Sequence, residues 1–483
     1  MRADCDQDRL RSPVDDPRRT HRWLLAILGL AFVLRVVALV ALPTIHHPDE
    51  IHQTVEQAHR WLFGYGNVPW EFRDGIRSWI LPGLLAVPLA LGTLISPDPA
   101  VSMLVVGVFV AALSLVIVAC AFLLGRELSL THAVVAGSVA AVWFELIFHA
   151  SRTLSETVAT APLVLALLLA IRPTPARGHL VSVGVLLGVC VVLRPHLGPA
   201  AVVIGLWMLW RHGRPAMAPL VLGGLVPLAV SAAVDTWTWG VPLASIMRNI
   251  DTNVLQGRAD TFGVSPMDAY LRSIASAWRW AAPIIVGLAL VGGRRFPIWL
   301  LAAFVILVTH SLIGHKEPRF IYPAVAILVI LAGVGSADAL RLVQRWLPSP
   351  HLLRVAIPAI LGVWVAASIG LAGPTGPAGP WAAGRASLEA YHFLFRQPDL
   401  CAVGAIEVPM WQTAGAVHLH REVPLILDDA AAHPEAWNHL LLRPAVSALP
   451  TGGLVALACW RDPRGELCVY RKPGGCQPVA GLS

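Results

Sequence analysis

The sequence predicts an all-α polytopic membrane protein with about eleven transmembrane helices, a long first outer loop and a small mixed α/β domain on the outer face at the C-terminal end. Three observations carry that prediction. Of 483 residues, 56% are hydrophobic and only 13% are charged, against about 25% charged in soluble domains. Apolar runs of membrane-helix character recur from residue 23 to residue 372, and hydropathy drops after Gly373. The cations collect in short links between the runs, as the positive-inside rule requires. Only Lys316 and Lys472 are lysines, so almost all of the positive charge behind the net +7 is arginine. That excess reflects topology rather than nucleic-acid binding, and its Arg bias points to a GC-rich, bacterial genome.

Residues 1–22 are rich in Arg and Asp, with Pro13 and Pro17, and read as a disordered cytoplasmic tail. The run 23–42 is too long for a signal-peptide core, and no small-residue cleavage site follows, which predicts a retained first span. Further apolar runs cover 79–95, 101–124, 133–149, 157–171, 180–193, 197–210, 217–234, 281–292, 297–313, 321–334 and 354–372. The links holding Arg126, 172–177, 211–214, 294–295 and 341–345 belong in the cytoplasm. Counting crossings back from Arg345 satisfies each of them, then fails by one before the first span. One early run therefore does not cross. The run 79–95 fits, being short and broken by Pro82, Gly83 and Pro88, so it belongs to one outer loop of about residues 43–100. This parity puts 46–78, 151–156, Arg194, 235–279 and 315–320 on a single outer face, together with the region after Pro374.

Gly and Pro alternate through 373–380, a linker composition. Beyond it, 381–483 carries β-like runs such as 400–406 and 453–459. The chain has seven cysteines. Cys120 and Cys190 lie in apolar runs, where a thiol packs as a small core residue, and Cys5 is isolated. Cys401, Cys459, Cys468 and Cys476 fit no zinc spacing. In an oxidising compartment they predict one or two disulfides.

Charge beside lipid-depth helix is expensive, so the outer-face clusters are functional candidates. Asp49 and Glu50 follow Pro48 at the start of a helical pattern with Ile51, Val55, Ala58 and Leu62 on one face. Asp49 there is either an N-cap or a carboxylate held in place as a general base. Gln53 and Glu56 continue that helix. Trp70 and Trp79 suit a membrane interface or a sugar platform, with Glu71 and Arg77 as hydrogen-bonding partners for hydroxyls. The run from Ser151 to Thr157 contains Arg152 and Glu156, and reads as a capping box or as a second acidic group facing Asp49. His315, Lys316, Glu317, Pro318, Arg319 and Phe320 form a tight turn between two apolar runs. Arg grips phosphate through parallel hydrogen bonds and Lys adds a point charge, so this turn reads as an anion site at headgroup level, which Arg194 can join. P-loop, dinucleotide and zinc-protease motifs are absent, and nothing suggests ATP, a dinucleotide, a metal or another cofactor.

The opening stretch, His47, Pro48, Asp49 and Glu50 with Gln53 and Glu56, then Gly64-Tyr65-Gly66, Trp70-Glu71 and Ile76-Arg77-Ser78, resembles the first loop of glycosyltransferase family 22. The turn 315–320 with Pro323 resembles its other hallmark, and Arg152 to Glu156 a third, looser motif. Glu156 stands where eukaryotic members usually have Asn. The resemblance covers about residues 30–335. It implies a GT-C fold over 23–372, a polyprenyl-phosphate sugar donor, usually mannose-linked, and a glycan or glycolipid acceptor. It also implies inverting transfer with no bound nucleotide and usually no metal. Carried over by position, Asp49 becomes the base and Glu50 its neighbour. Lys316 and Arg319, with His315 and Arg194, become the phosphate grip. Gln53, Trp70, Glu71, Arg77, Arg152 and Glu156 become substrate contacts. The expected setting is a bacterial plasma membrane with the active site on its outer face, or the endoplasmic reticulum membrane in a eukaryote. A transporter of lipid-linked sugar is the competing class, but it needs charges at mid-membrane depth, and here they collect at one face. A scaffold whose C-terminal domain binds a partner leaves both hallmark motifs without a role.

Overall fold

The computed structural model describes residues 17–347, 352–373, 379–427, 430–443 and 453–477. Six helices are long and apolar enough to cross a membrane: Pro17–Ala41, Pro99–Arg126, Arg214–Trp239, Ala269–Gly293, Pro318–Trp346 and Leu353–Leu371. Five shorter apolar helices accompany them: Ile80–Ile95, Leu130–Val142, Ser155–Ala170, Arg177–Leu193 and Pro297–Ser311. Gly198–His212 adds one more. Every apolar run of the sequence lies on helix, and 133–149 is split by a break at Trp143. Among the described residues the first helix covers Pro17–Ala41, so it takes in residues before Trp23 that the sequence assigns to the tail. Residues 1–16 of the expected tail and 374–378 of the expected linker lie outside the described residues.

Ile80–Ile95 has 16 residues, about 24 Å at 1.5 Å each, against a hydrocarbon core of about 30 Å. Pro88 sits inside it. It lies along Pro99–Arg126 so closely that a Cβ on Gly92 would fall 2.4 Å from Ser102 Cα. Only glycine permits that approach, as is usual where helix backbones meet.

The helix after the 315–320 turn is the axis of the protein. In its most apolar window 89% of residues are buried within the protein, against 17% for Pro17–Ala41. A cation fixed at the start of this helix is therefore fixed relative to the whole bundle.

The C-terminal region carries a sheet of order β2-β1-β3-β5-β4, with β1 (Val403–Ile406), β2 (Leu425–Ile426), β3 (His439–Leu442), β4 (Val455–Asp462) and β5 (Gly465–Arg471). β1 runs parallel to β2 and β3, whereas β5 is antiparallel to β3 and β4. Cys459 and Cys468 are directly opposed on β4 and β5 and form one disulfide. Cys401 and Cys476 form the other, 75 residues apart. Disulfides persist in oxidising compartments, which agrees with the outer-face placement derived from charge.

This region folds back on the first outer loop. Ala383 O accepts from Ile45 N at 2.8 Å and from Thr44 Oγ1 at 2.6 Å. Glu56, fully buried, accepts from Asn67 N at 2.7 Å, Ala416 N at 3.0 Å and Val417 N at 2.9 Å. Replacing Cys401 and Cys476 by Ala should cost the C-terminal region about 3–5 kcal/mol, since the bridge closes a long loop; the expected result in limited proteolysis is cleavage of the C-terminal region at a protease dose that leaves the parent intact.

Candidate active site

The first outer loop turns into helix at Pro48, with His47 as the N-cap residue and its Nδ1 3.4 Å from Asp49 Oδ1. Asp49 is thus inside the first turn and is not the cap. The helix opens into a π turn over Ile51–Val55. Its cause is local and tertiary together. The Glu50 carbonyl accepts two hydroxyls, Thr54 Oγ1 at 2.5 Å and Thr153 Oγ1 at 2.7 Å, which draws it out of the regular ladder. Such turns recur at functional sites.

Arg319 is the centre of the site. It is 4% exposed, and it divides its donors among three carboxylates from three parts of the chain. NH2 reaches Asp49 Oδ2 at 2.6 Å, NH1 reaches Glu156 Oε1 at 2.7 Å, and Nε reaches Glu317 Oε2 at 2.5 Å. His47 Nε2 meets Glu317 Oε2 at 3.1 Å, and Arg194 lies 3.7 Å from Glu156. Burial alone would lift the Asp49 carboxyl, but Arg319, His47 and Arg77 outweigh it and hold it well below the usual carboxylate range. Burial also opposes His47, yet its hydrogen bonds to Asp49 and Glu317 raise it to about 9.

A cavity of about 530 Å³ opens beside this network. Of the residues the sequence singles out, Asp49, Gln53, Trp70, Glu71, Arg77, Arg194, His315 and Arg319 line it. Gln53 Nε2 donates to Glu71 Oε1 at 2.8 Å. Arg258 lies 3.8 Å over the Trp70 ring and pairs with Asp74, so the loop around 258–262 is clamped to the first outer loop. A smaller recess of about 60 Å³ adjoins it, and Asp49, Gln53, Arg77 and Arg319 also face this second space, where Glu156 joins them.

Three expected residues lie elsewhere. Lys316 turns its Nζ onto the carbonyls of Ile313, Ser265 and Gly314 and does not line the cavity, because those orphan carbonyls capture it. Glu50 accepts from His46 N at 2.5 Å and lies 3.7 Å from Arg152. Arg152 also holds Thr44 O at 2.6 Å. That pair braces the loop from behind. Arg319 gives three of its five N–H donors to carboxylates, so it is a hub of the site as well as a residue of the cavity wall. The capping-box reading of Glu156 also fails, since Leu154 is the N-cap and no side chain caps that helix.

The sequence reading assigned no role to His47 and Glu317, although both stand in the quoted motifs. It also missed Asn249, Tyr270, His196 and His310 in the cavity wall, and Met410 and Trp411 from the C-terminal region. No local pattern marks these, because the fold alone brings them to the site.

A family model described as the Alg9-like mannosyltransferase family matches residues 27–373. The chain belongs to that family. The GPI alpha-1,2-mannosyltransferase 3 of Danio rerio is 28% identical over 341 residues, covering 65% of this chain and 59% of that protein. The GPI mannosyltransferase 3 of Yarrowia lipolytica is 26% identical over 428 residues, 85% of this chain and 78% of the relative. The Homo sapiens GPI alpha-1,2-mannosyltransferase 3 is 26% identical over 330 residues, with 64% and 56% covered. The chain thus spans well under two thirds of the vertebrate relatives. These relatives are eukaryotic, and the bacterial reading of the Arg-rich composition gains no support from them. Crystal structures of ArnT from Cupriavidus metallidurans, one apo and one bound to undecaprenyl phosphate, share the fold at a TM-score of 0.63 each. They are 15% and 13% identical and cover 95% of this chain. The architecture of this Alg9-like chain is therefore GT-C.

The raised His47 gives a pH signature. Its stabilisation is complete below the ordinary value of 6.5 and is lost as pH rises through about 9. The melting temperature of the detergent-solubilised protein should fall between those limits, and His47→Gln should melt lower at neutral pH with a flatter profile.

Proposed function

We propose that this protein transfers a mannosyl group from a polyprenyl-phosphate donor to a saccharide hydroxyl of a lipid-linked or surface glycan, with inversion, on the extracytoplasmic side of the membrane. One observation carries the reading: Asp49 stands at a wall shared by two spaces, opposite two guanidinium groups with open donors. Arg77 and Arg194 each keep a buried Nε without a partner among the described residues. The Arg77 side chain makes no hydrogen bond there, and Arg194 pairs with Glu156 at 3.7 Å and lies 4.6 Å over the Phe320 ring. Two such cations near one another repel and are costly when buried. A phosphate between them removes both costs. Membership of an Alg9-like mannosyltransferase family supports the choice of sugar.

In this reading the donor phosphate lies against Arg77 and Arg194, with His315 beside it. The acceptor hydroxyl hydrogen-bonds to Asp49. Its oxygen attacks the anomeric carbon as the bond from that carbon to the phosphate oxygen breaks. The bonding electrons leave with the phosphate, which gains a negative charge opposite the two guanidinium groups. The hydroxyl proton passes to Asp49. A carboxylate held so strongly in its ionised form is a weak base, so it takes the proton late, once the anomeric carbon has become cationic. Electrostatic stabilisation of the leaving phosphate is then the larger contribution. Lys316 has no part in the step and instead fixes the turn that presents Arg319.

Asp49→Asn should lower transfer of labelled mannose from polyprenyl-phosphate mannose by about a hundredfold or more, with donor KM little changed; undiminished transfer would remove Asp49 from the chemistry. Arg194→Gln is the contrasting variant, raising donor KM in the same membranes.

A further inference from the structure

The mannosyl-transfer reading leaves one wall of the cavity without a role, the wall made by the C-terminal region. It consists of Met410 and Trp411, which lie beyond the span matched by the family model. Trp411 is 53% exposed although it faces a cavity, and its mounting is rigid. The short helical turn Met410–Gln412 is closed by Gln412 N on Pro409 O at 2.8 Å and Thr413 N on Met410 O at 3.0 Å. Ser387 Oγ holds Gln412 O at 2.5 Å, and Arg443 Nε holds Gln412 Oε1 at 3.0 Å. A large aromatic side chain left open on a braced turn is suited to stacking against the apolar face of a ring.

His52 lines the same cavity beside that turn. It is 3% exposed, and its ring nitrogens, which face the Met410 and Thr413 backbone, make no well-aligned hydrogen bond among the described residues. An unpaired buried polar group is costly unless a ligand completes it. Burial lowers the ring to about 4, and the nearby carbonyls of Met410 and Thr413 only partly offset this. The neutral ring offers one donor and one acceptor, the complement of a hydroxyl. His52 and Asp49 both line the cavity, three positions apart in the chain. A hydroxyl neighbouring the one at Asp49 therefore falls within its reach.

We propose that Trp411 and His52 form the acceptor subsite, in which Trp411 stacks on the terminal hexose ring of the acceptor saccharide and His52 binds a hydroxyl beside the one that reacts. The C-terminal region then selects the acceptor, while the membrane helices hold the donor. The inference rests on the glycosyl-transfer reading for the word acceptor, but the saccharide site itself is measurable without turnover.

The test is binding of octyl α-dimannoside to the full-length solubilised protein by saturation-transfer NMR, with titration to a Kd. The parent should bind, Trp411→Ala should weaken binding about three- to tenfold, and Trp411→Phe should stay close to the parent. His52→Ala should weaken it in the same direction. Polyprenyl-phosphate mannose KM should be unchanged in Trp411→Ala. No binding by the parent, equal binding by Trp411→Ala, or parallel loss of donor and saccharide affinity would overturn the subsite. Saccharide binding with no mannosyl transfer from any polyprenyl-phosphate sugar would leave the subsite and sink the transfer reading instead.

Discussion

A buried guanidinium must have its charge met, and Arg319 meets it with Asp49, Glu156 and Glu317. Truncating any one member leaves the others as uncompensated buried charge, which is far more costly than the pair is stabilising. The arrangement therefore holds together or fails together. Because the cation sits at the start of the most buried helix, the position of Asp49 is set from the centre of the bundle outward. His47 and Arg194 complete the balance, as three cations stand against three carboxylates. In the proposed reading the ligand's own charge falls to Arg77 and Arg194, each of which keeps a buried Nε without a partner among the described residues.

Stiffness at the Asp49 carboxylate follows from the same network. Loops carry function because they can vary, yet catalytic groups need a rigid mount. Here the first outer loop becomes rigid by being pinned at both sides of Asp49. His47 is the N-cap residue before it, and the hydroxyls of Thr54 and Thr153 pull on the Glu50 carbonyl after it. The π turn records that pull.

Much of this was legible in the sequence. Charge placement and run length outlined the helices, and the two hallmark clusters marked the face where the cavity lies. Asp49, Gln53, Trp70, Glu71, Arg77, Arg194, His315 and Arg319 meet there because a charged residue beside an apolar run has few places to go. The failures share a cause as well. Lys316 and Arg319 stand in one turn with the same formal charge, and sequence cannot tell which side chain the neighbouring carbonyls will capture. The π turn depends on Thr153, about a hundred positions from the carbonyl it pulls. Trp411 sits in a region of ordinary composition, where nothing nearby announces that it closes a cavity built from other segments.

The Glu56 carboxylate joins Ala416, 360 positions later in the chain. At a synthesis rate of about 5–20 residues per second, about 20 to 70 s separate the emergence of the two. During that interval the membrane helices can assemble, but the cavity stands open on one side. The Cys401–Cys476 disulfide ties the same region, and forming it requires an oxidant. The protein is thus timed by its own connectivity. A chain stalled or misinserted has the charged network without the wall above it, and only a chain delivered along its length acquires a closed chamber.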